Sequence, residues 1–500
     1  MSPERLSFRF GPLERRGLLG PIRAGQAGLI ATGVLVGVIV LDQSPSAGGA
    51  LVALIAFVAA MLGSIARLGR RTADEWTPIV VGYALRRLTG QLRCCSRAPA
   101  AGALAHLPLR LPGSATVTPV PPDAPRSVRG VRIVAVDYRD GQIGAFSDLR
   151  GRRLTAVLAC RVLAFSLLEP EAQERRLGRW GLVLAGAAGT AVRRIQWVER
   201  TAPAQGDELA RWLHAERDPA VPLRGTAMIE SYLELIGSTA KVTQEHEVLV
   251  AVQVDGRRVR DHRAHAVARA LIEHTERIAQ GLEAAEVSVL GALTAGQLAR
   301  TLRTAFDPYA RTELAELDAP DPRRDGLSES SAWPLGAHEG WDRYRSDGAL
   351  HATYWIGAWP RVDVSPMFMD ALLGRSSAVR AVAVTFEALP PERSTREVEA
   401  AVTADRADRE LRVRFGQSET ARQRQAQEAT LRREAELAAG HAEVRLAGFI
   451  TVSGRDAQEL NLACSQVHEQ AARARLELHR MYGQQADAFT FTLPLCRGLR

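Results

Sequence analysis

The sequence predicts an α+β protein: an N-terminal two-helix transmembrane hairpin, then a mixed sheet and helix cytoplasmic body in two halves. Two long uncharged stretches predict the hairpin. Strand-like and helix-like segments in mixed order predict the layered body. The placement of arginine predicts the side of the membrane on which that body lies. The 500 residues exceed what one hydrophobic core usually organises. With 46% hydrophobic and 24% charged residues, the composition is that of a folded chain.

Charge separates the two parts. Residues 1–100 hold 12 Arg against 5 acidic residues, whereas the following 400 hold 52 basic and 51 acidic residues. Nearly all of the net +8 therefore flanks the apolar stretches, where positive charge marks cytoplasmic flanks rather than a nucleic-acid footprint. Cys94, Cys95, Cys160, Cys464 and Cys496 form no CxxC pair, which argues against a disulfide framework or zinc site and suits a reducing compartment.

Taken in order, Ala24 to Leu41 and Ala47 to Ala66 are uncharged for 18 and 20 residues, with the polar turn Asp42-Gln43-Ser44-Pro45-Ser46 between them. Each can cross a hydrocarbon core about 30 Å thick. A soluble helix rarely stays uncharged on every face for so long. Two spans in succession also differ from the single short apolar run of a signal peptide. Arg5, Arg9, Arg15, Arg16 and Arg23 precede the first span, Arg67, Arg70 and Arg71 follow the second, and the turn has none. Both termini are thus expected in the cytoplasm, with two passes through the inner membrane. Gly33 and Gly37, at GxxxG spacing, would let the two helices approach closely or dock a partner helix.

Residues 1–72 then form the membrane hairpin with its basic flanks. Residues 73–98 read as a juxtamembrane amphipathic helix, with Trp76 and Tyr83 either at the membrane surface or on an ordinary surface helix. A Pro/Gly-rich linker follows at 99–125. The first α+β half is expected at 126–316 and the second at 332–500, divided by Leu317–Ser331 with its Asp318-Ala319-Pro320-Asp321-Pro322. Strands are expected at Val131–Tyr138, Leu154–Leu168, Val192–Val198, Glu247–Val254, Ala352–Trp359, Val379–Phe386 and Val444–Ser453. Helices are expected at Glu169–Leu184, Asp207–Ala215, Asp261–Leu282, Ala295–Ala305, Glu419–Ala439 and Asp456–Tyr482. Glu419–Ala439 is so polar that it should project into solvent or lie against a partner.

Chemistry is sparse. Lys241, the only lysine, sits in Gly237-Ser238-Thr239-Ala240-Lys241-Val242, which lacks the P-loop frame. Asp261, His262, His265 and His274 resemble metal ligands, but His262 and His265 are three apart where a helical zinc pair wants four. No GxSxG nucleophile elbow occurs, and Thr451-Val452-Ser453-Gly454 reads as a strand ending in a turn. Trp333, Trp341, Tyr344, Tyr354, Trp355 and Trp359 form the densest aromatic cluster, suited to a core, an interface or base stacking. No catalytic, cofactor-binding or metal-binding residue is assigned, and no cofactor is expected.

Several stretches carry a resemblance. The hairpin followed by Asp74-Glu75-Trp76 resembles the PrgI family of conjugation membrane proteins. Trp355-Ile356-Gly357-Ala358-Trp359-Pro360 with Val364-Ser365-Pro366-Met367-Phe368 is similar to a strand and Pro-rich turn of conjugative type IV secretion ATPases. Gly440-His441, Leu446-Ala447-Gly448-Phe449-Ile450-Thr451-Val452-Ser453-Gly454, Gly483-Gln484-Gln485 and Leu493-Pro494-Leu495 are similar to the end of their N-terminal, non-motor half. The whole architecture resembles actinobacterial membrane proteins of conjugative-element gene clusters that carry an EccE-like domain of type VII secretion. The resemblance implies a non-enzymatic docking component of a secretion or conjugation apparatus, with the motor half of those ATPases lacking a counterpart in these 500 residues. Its implied partners are the lipid bilayer, a separate cytoplasmic ATPase and other channel subunits, in an oligomeric machine. Two other readings stay open: a membrane-bound enzyme or nucleotide-binding protein with a site near His246, Glu247 and His262, and a platform guiding DNA, which the near-neutral body does not favour.

Overall fold

The computed structural model describes residues 24–96, 123–203, 244–310, 332–414 and 421–499, apart from short breaks within those ranges, together with 227, 228 and 231. Helices α1 (Ala24–Gln43) and α2 (Ala47–Ile65) form an antiparallel hairpin, and both are long and apolar enough to cross a membrane. Gly33 and Gly37 face the second helix. A Cβ at Gly33 would lie 2.5 Å from the Ala60 methyl, and Gly37 lies against Ala53. Small residues here set how closely the backbones approach. Helix α3 (Ala73–Leu88) follows at once.

Among the described residues the body is built on one 13-stranded sheet. In chain order its strands are β1 (Arg93–Cys95), β2 (Val131–Tyr138), β3 (Gly141–Asp148), β4 (Arg153–Arg161), β5 (Val192–Pro203), β6 (Gln244–Asp255) and β7 (Ser288–Ala292). They continue with β8 (Gly336–Glu339), β9 (Tyr344–Ser346), β10 (Ala349–Ala358), β11 (Val379–Ala388), β12 (Val444–Gly454) and β13 (Glu477–Arg480). Among the described residues the further helices with both ends defined are α4 (Pro170–Ala185), α5 (Ala264–Ala284), α6 (Ala295–Phe306), α7 (Asp370–Leu373), α8 (Pro391–Arg414), α9 (Ala421–Ala438), α10 (Ala457–Arg473) and α11 (Gln485–Phe489).

The spatial order is β1-β8-β9-β10-β12-β11-β5-β6-β4-β3-β2, with β13 added to β10 and β7 added to β4. From one side it reads β2-β3-β4-β6-β5, and from the other β8-β9-β10-β12-β11. The two series meet where β5 and β11 run antiparallel, with Trp197 opposite Val384. Each series is followed by the same helix–strand pair, α5–β7 after β6 and α10–β13 after β12. The body is therefore two copies of one unit, related by a pseudo-twofold axis near the Trp197–Val384 pair. Strand β1, on the outer edge of β8, has no equivalent beside β2 among the described residues.

Equivalent positions keep equivalent geometry. Thr155 lies opposite Gln253 and Thr353 opposite Thr451, each pair joined by a buried side-chain hydrogen bond of 3.3 and 2.9 Å respectively. Two residues along, Arg153 faces Asp255 and His351 faces Ser453. Gly256 and Gly454 come next. A Cβ there would meet Val267 at 3.0 Å or the Leu460 amide at 2.6 Å, so each glycine lets the helix that follows cross its strand end.

Strand alternation gives the sheet two apolar faces. Leu249 and Ala251 pack with Leu298, Leu302 and Phe306 of α6 and with Phe489, Leu493 and Leu495 of the C-terminal segment. Val250 and Val252 face the opposite way, with Leu184 of α4 and Ile278 and Leu282 of α5. Ile450 and Val452 cover Leu460 and Val467 of α10. Each such aliphatic side chain contributes about 1.5–3 kcal/mol by leaving water.

Most expected elements are present, with two corrections. The strand expected over Leu154–Leu168 ends at Arg161 and is followed by a 3₁₀ turn at Phe165–Leu167, because its ladders to β6 and β7 run out at Cys160 and Arg161. The helix expected over Asp456–Tyr482 stops at Arg473. Arg475 takes a left-handed φ of 57° and the Leu476 amide returns to the Ala471 carbonyl, which frees Glu477–Arg480 to pair with β10. The helix expected at Asp207–Ala215, the divider Leu317–Ser331 and nearly all of the linker lie outside the described residues.

Candidate functional site at the junction of hairpin and sheet

Helix α3 carries the connection from the apolar hairpin to the sheet. Asp74 and Glu75 in its first turn and Arg86 and Arg87 in its last suit the helix dipole. Its spacing of Trp76, Ile79, Tyr83 and Arg86 puts these side chains on one face. That face packs on the second repeat. Trp76 stacks on Trp341 at 6.1 Å between ring centroids, Tyr83 meets Trp341 edge-on at 5.1 Å, and Tyr482 lies 6.3 Å from Trp76. Arg71 caps the cluster, its guanidinium 5.6 Å from the Trp76 ring. Trp76 and Tyr83 thus bind the body rather than the lipid surface.

Below the aromatics, Ile79 is buried against Gly483, whose φ is +65°. A Cβ at Gly483 would fall 2.7 Å from Trp341 and 3.0 Å from Ile79, so a larger residue fits neither the backbone nor the space. Arg86 donates to the Gly483 carbonyl and forms an ion pair with Glu339 at 3.3 Å. Glu339, on β8, is 3% exposed and also accepts from the Ala486 amide. Burial pushes its carboxyl above the usual range, against the pull of Arg86 and the amide. A buried pair of this kind holds position more than it stabilises. The Glu339 amide donates to Leu92, and β1 completes the attachment by pairing with β8.

The remaining polar groups are dispersed. His246 contacts Glu199 at 3.3 Å, and Glu247 accepts from Arg200 at 3.0 Å, both at the start of β6. His262 bonds the Gly256 carbonyl beyond the other end of that strand, about 30 Å away at the usual rise per residue. The three do not form one site. His265 turns to Asp261 at 3.8 Å and His274 sits beside Arg277 at 3.4 Å. Among the described residues no group of three His, Cys, Asp or Glu side chains is placed to hold a metal. Gly237–Val242 lies outside the described residues.

His351, which sequence reasoning passed over, is the most buried titratable group on the sheet. Its Nδ1 meets the Ser453 hydroxyl at 2.8 Å, and its Nε2 lies 2.9 Å from Ser346 Oγ and 3.0 Å from the Phe306 carbonyl. Burial lowers its pKa to about 4, so the ring is neutral at pH 7. A serine beside a histidine invites a hydrolase reading, but the ring is 0% exposed and among the described residues no carboxylate bonds it. A shallow cleft with room for little more than a water is lined by Arg200, Arg380, Thr451 and Ser453. Its arginines are engaged, Arg200 with Glu247 and the Thr301 carbonyl and Arg380 with Gln470 and the Gly374 carbonyl. The aromatic cluster divides: Trp333, Tyr344 and Tyr354 are core residues, whereas Trp341 builds the junction.

The family model described as "Putative type VII ESX secretion system translocon, EccE" matches residues 242–356, less than a quarter of the chain. The match runs from β6 through α5, β7 and α6 into β8, β9 and most of β10, and so spans the end of one repeat and the start of the next. No curated protein matches the chain. Nothing in these comparisons supports the likeness to PrgI proteins or to type IV ATPases. What the chain is similar to, over those residues, is a type VII secretion translocon component.

Proposed function

We propose that the chain is a non-enzymatic, membrane-anchored subunit of a type VII-like secretion translocon, holding a separate cytoplasmic ATPase against the inner membrane. The observation that carries this reading is the junction. Two apolar helices continue, through an aromatic and ion-paired helix, into the edge of a 13-stranded sheet with little free linker between them. A motor on such a sheet would have its reaction force borne by the bilayer. The similarity to the EccE translocon family supports the choice of machine.

The docking surface we favour is the helical hairpin α8–α9. It rises between β11 and β12; its base is buried through Ser394, Val398, Ala401 and Val402, whereas Arg406, Arg409, Glu410, Arg414, Arg424 and Glu428 in its distal turns are exposed. Arg409 on α8 and Gln427 on α9 hold the two helices together at 2.6 Å. Deleting the distal turns, while leaving 391–403 and 429–438, should abolish capture of the ATPase by the full chain in detergent and leave its melting midpoint nearly unchanged. The intact chain alone should hydrolyse ATP only at background. Sustained turnover by the purified chain would overturn the proposal. Accessibility labelling of the two termini from the cytoplasmic side checks the orientation that the arginines imply.

A further inference from the structure

Helix α3 has a second face that the junction does not use. Val80, Val81, Leu85 and Leu88 are 47%, 50%, 57% and 83% exposed. At 100° per residue they fall, with Ala84, in one stripe about 140° wide, roughly opposite the face made by Trp76, Ile79, Tyr83 and Arg86. Aliphatic side chains left in water at this density call for a cover. We propose that this outer stripe lies in the headgroup layer of the bilayer that holds the hairpin. Helix α3 is then a wedge, aromatic side on the sheet and aliphatic side on lipid, and the body lies flat against the membrane.

Continuity with the spans identifies the occupant. Only seven residues separate Ile65, the end of α2, from Ala73, the start of α3. Asp74 sits against Gly25 at the start of α1, and Gln26 donates to the Ser64 carbonyl, so α3 begins at the level where both spans end. A 16-residue helix is about 24 Å long. Pointing away from the bilayer, it would carry Leu88 some 20 Å into water; lying along the surface, it brings the whole stripe to the acyl boundary. Exposed Arg87, next to the stripe on the helical wheel, can then reach the phosphates.

The inference rests on the hairpin being in the membrane, and the test separates the two. Benzoylphenylalanine is placed singly at Val81, Leu85 or Leu88 in the full chain, reconstituted in phosphatidylethanolamine–phosphatidylglycerol vesicles and illuminated. Leu54 on α2, 58% exposed, reports the span, and Leu462 on α10, 63% exposed, reports an ordinary surface position. Lipid adducts at Leu54 and at the α3 positions, several-fold above Leu462, are expected. Lipid adducts at Leu54 with none on α3, or protein–protein adducts on α3, overturn this inference alone. Absence of lipid adducts at Leu54 sinks the membrane reading with it.

Discussion

The first repeat and the second share a scaffold and differ in what is attached to it. In the first, Arg153 and Asp255 form a partly exposed ion pair at 3.7 Å. In the second, the same ladder position holds neutral His351 and Ser453 at 2.8 Å, with the imidazole fully enclosed. The first repeat carries a long helix, α4, where the second has only the one-turn α7. Among the described residues the second also carries the α8–α9 hairpin, the edge strand β1 and the whole α3 contact; almost all of the segment between β5 and β6, which corresponds to α8–α9, lies outside them. The sheet is thus symmetric in its order, and α3 with the hairpin attaches to its second half alone among the described residues.

The comparison can be broken most decisively at its ion pairs. Arg86→Ala strands Glu339 inside the junction and should cost about 3–5 kcal/mol. Arg153→Ala in the first repeat leaves Asp255 with Arg193 at 3.1 Å and should cost about 1 kcal/mol or less. Melting midpoints of the two detergent-solubilised variants measure the contrast. Equal shifts would mean that α3 adds nothing to the second repeat.

Acid separates the repeats next. His351 has its folded pKa lowered from 6.5 to about 4, so its contribution is intact above pH 6.5 and lost as pH falls toward 4. The loss amounts to about 3 kcal/mol at most. Asp255 also has a lowered pKa: burial opposes the shift, but the Arg257 amide and Arg193 and Arg153 outweigh it. Its contribution therefore persists down to its ordinary value of 3.8 and fails only below that. Stability of His351→Gln should be flatter than that of the unmodified chain between pH 6.5 and 4, while Asp255→Asn should leave the slope in that window unchanged.

The smallest contrast lies in the hydroxyl pairs. Thr353→Val removes the 2.9 Å bond to Thr451, which keeps Thr492 at 2.7 Å, for about 1.5 kcal/mol. Thr155→Val removes only the longer contact to Gln253 and should cost about 0.5 kcal/mol. Denaturant midpoints of both variants decide the ranking.

Several features were legible from local chemistry. The spans follow from charge-free length, and the ends of β2 follow from Val131–Tyr138 itself. The short strands β8 and β9 escaped notice because Gly336–Glu339 and Tyr344–Ser346 are too brief for alternation to show. Helix α8 was missed because its charges run around the whole cylinder and leave no clear stripe. The repeat itself was hidden: around the two crossing glycines the sequences coincide only at Val254 and Val452, Gly256 and Gly454, and Arg257 and Arg455, too little to stand out in 500 residues. The junction could not be read either, since Trp76 meets residues near 341 and 482, and no local pattern announces such a contact. Trp76 and Tyr83 were visible as aromatics on a helix, and only the fold shows which way they face.

Purification of the tagged full chain from its native membrane, followed by sizing and subunit identification, tests the central claim most directly. The account predicts a particle well above the chain's own 54.2 kDa that contains a distinct ATPase subunit and loses it when the distal turns of α8–α9 are removed. A chain that leaves the membrane alone, or that turns over ATP without a second subunit, would contradict it.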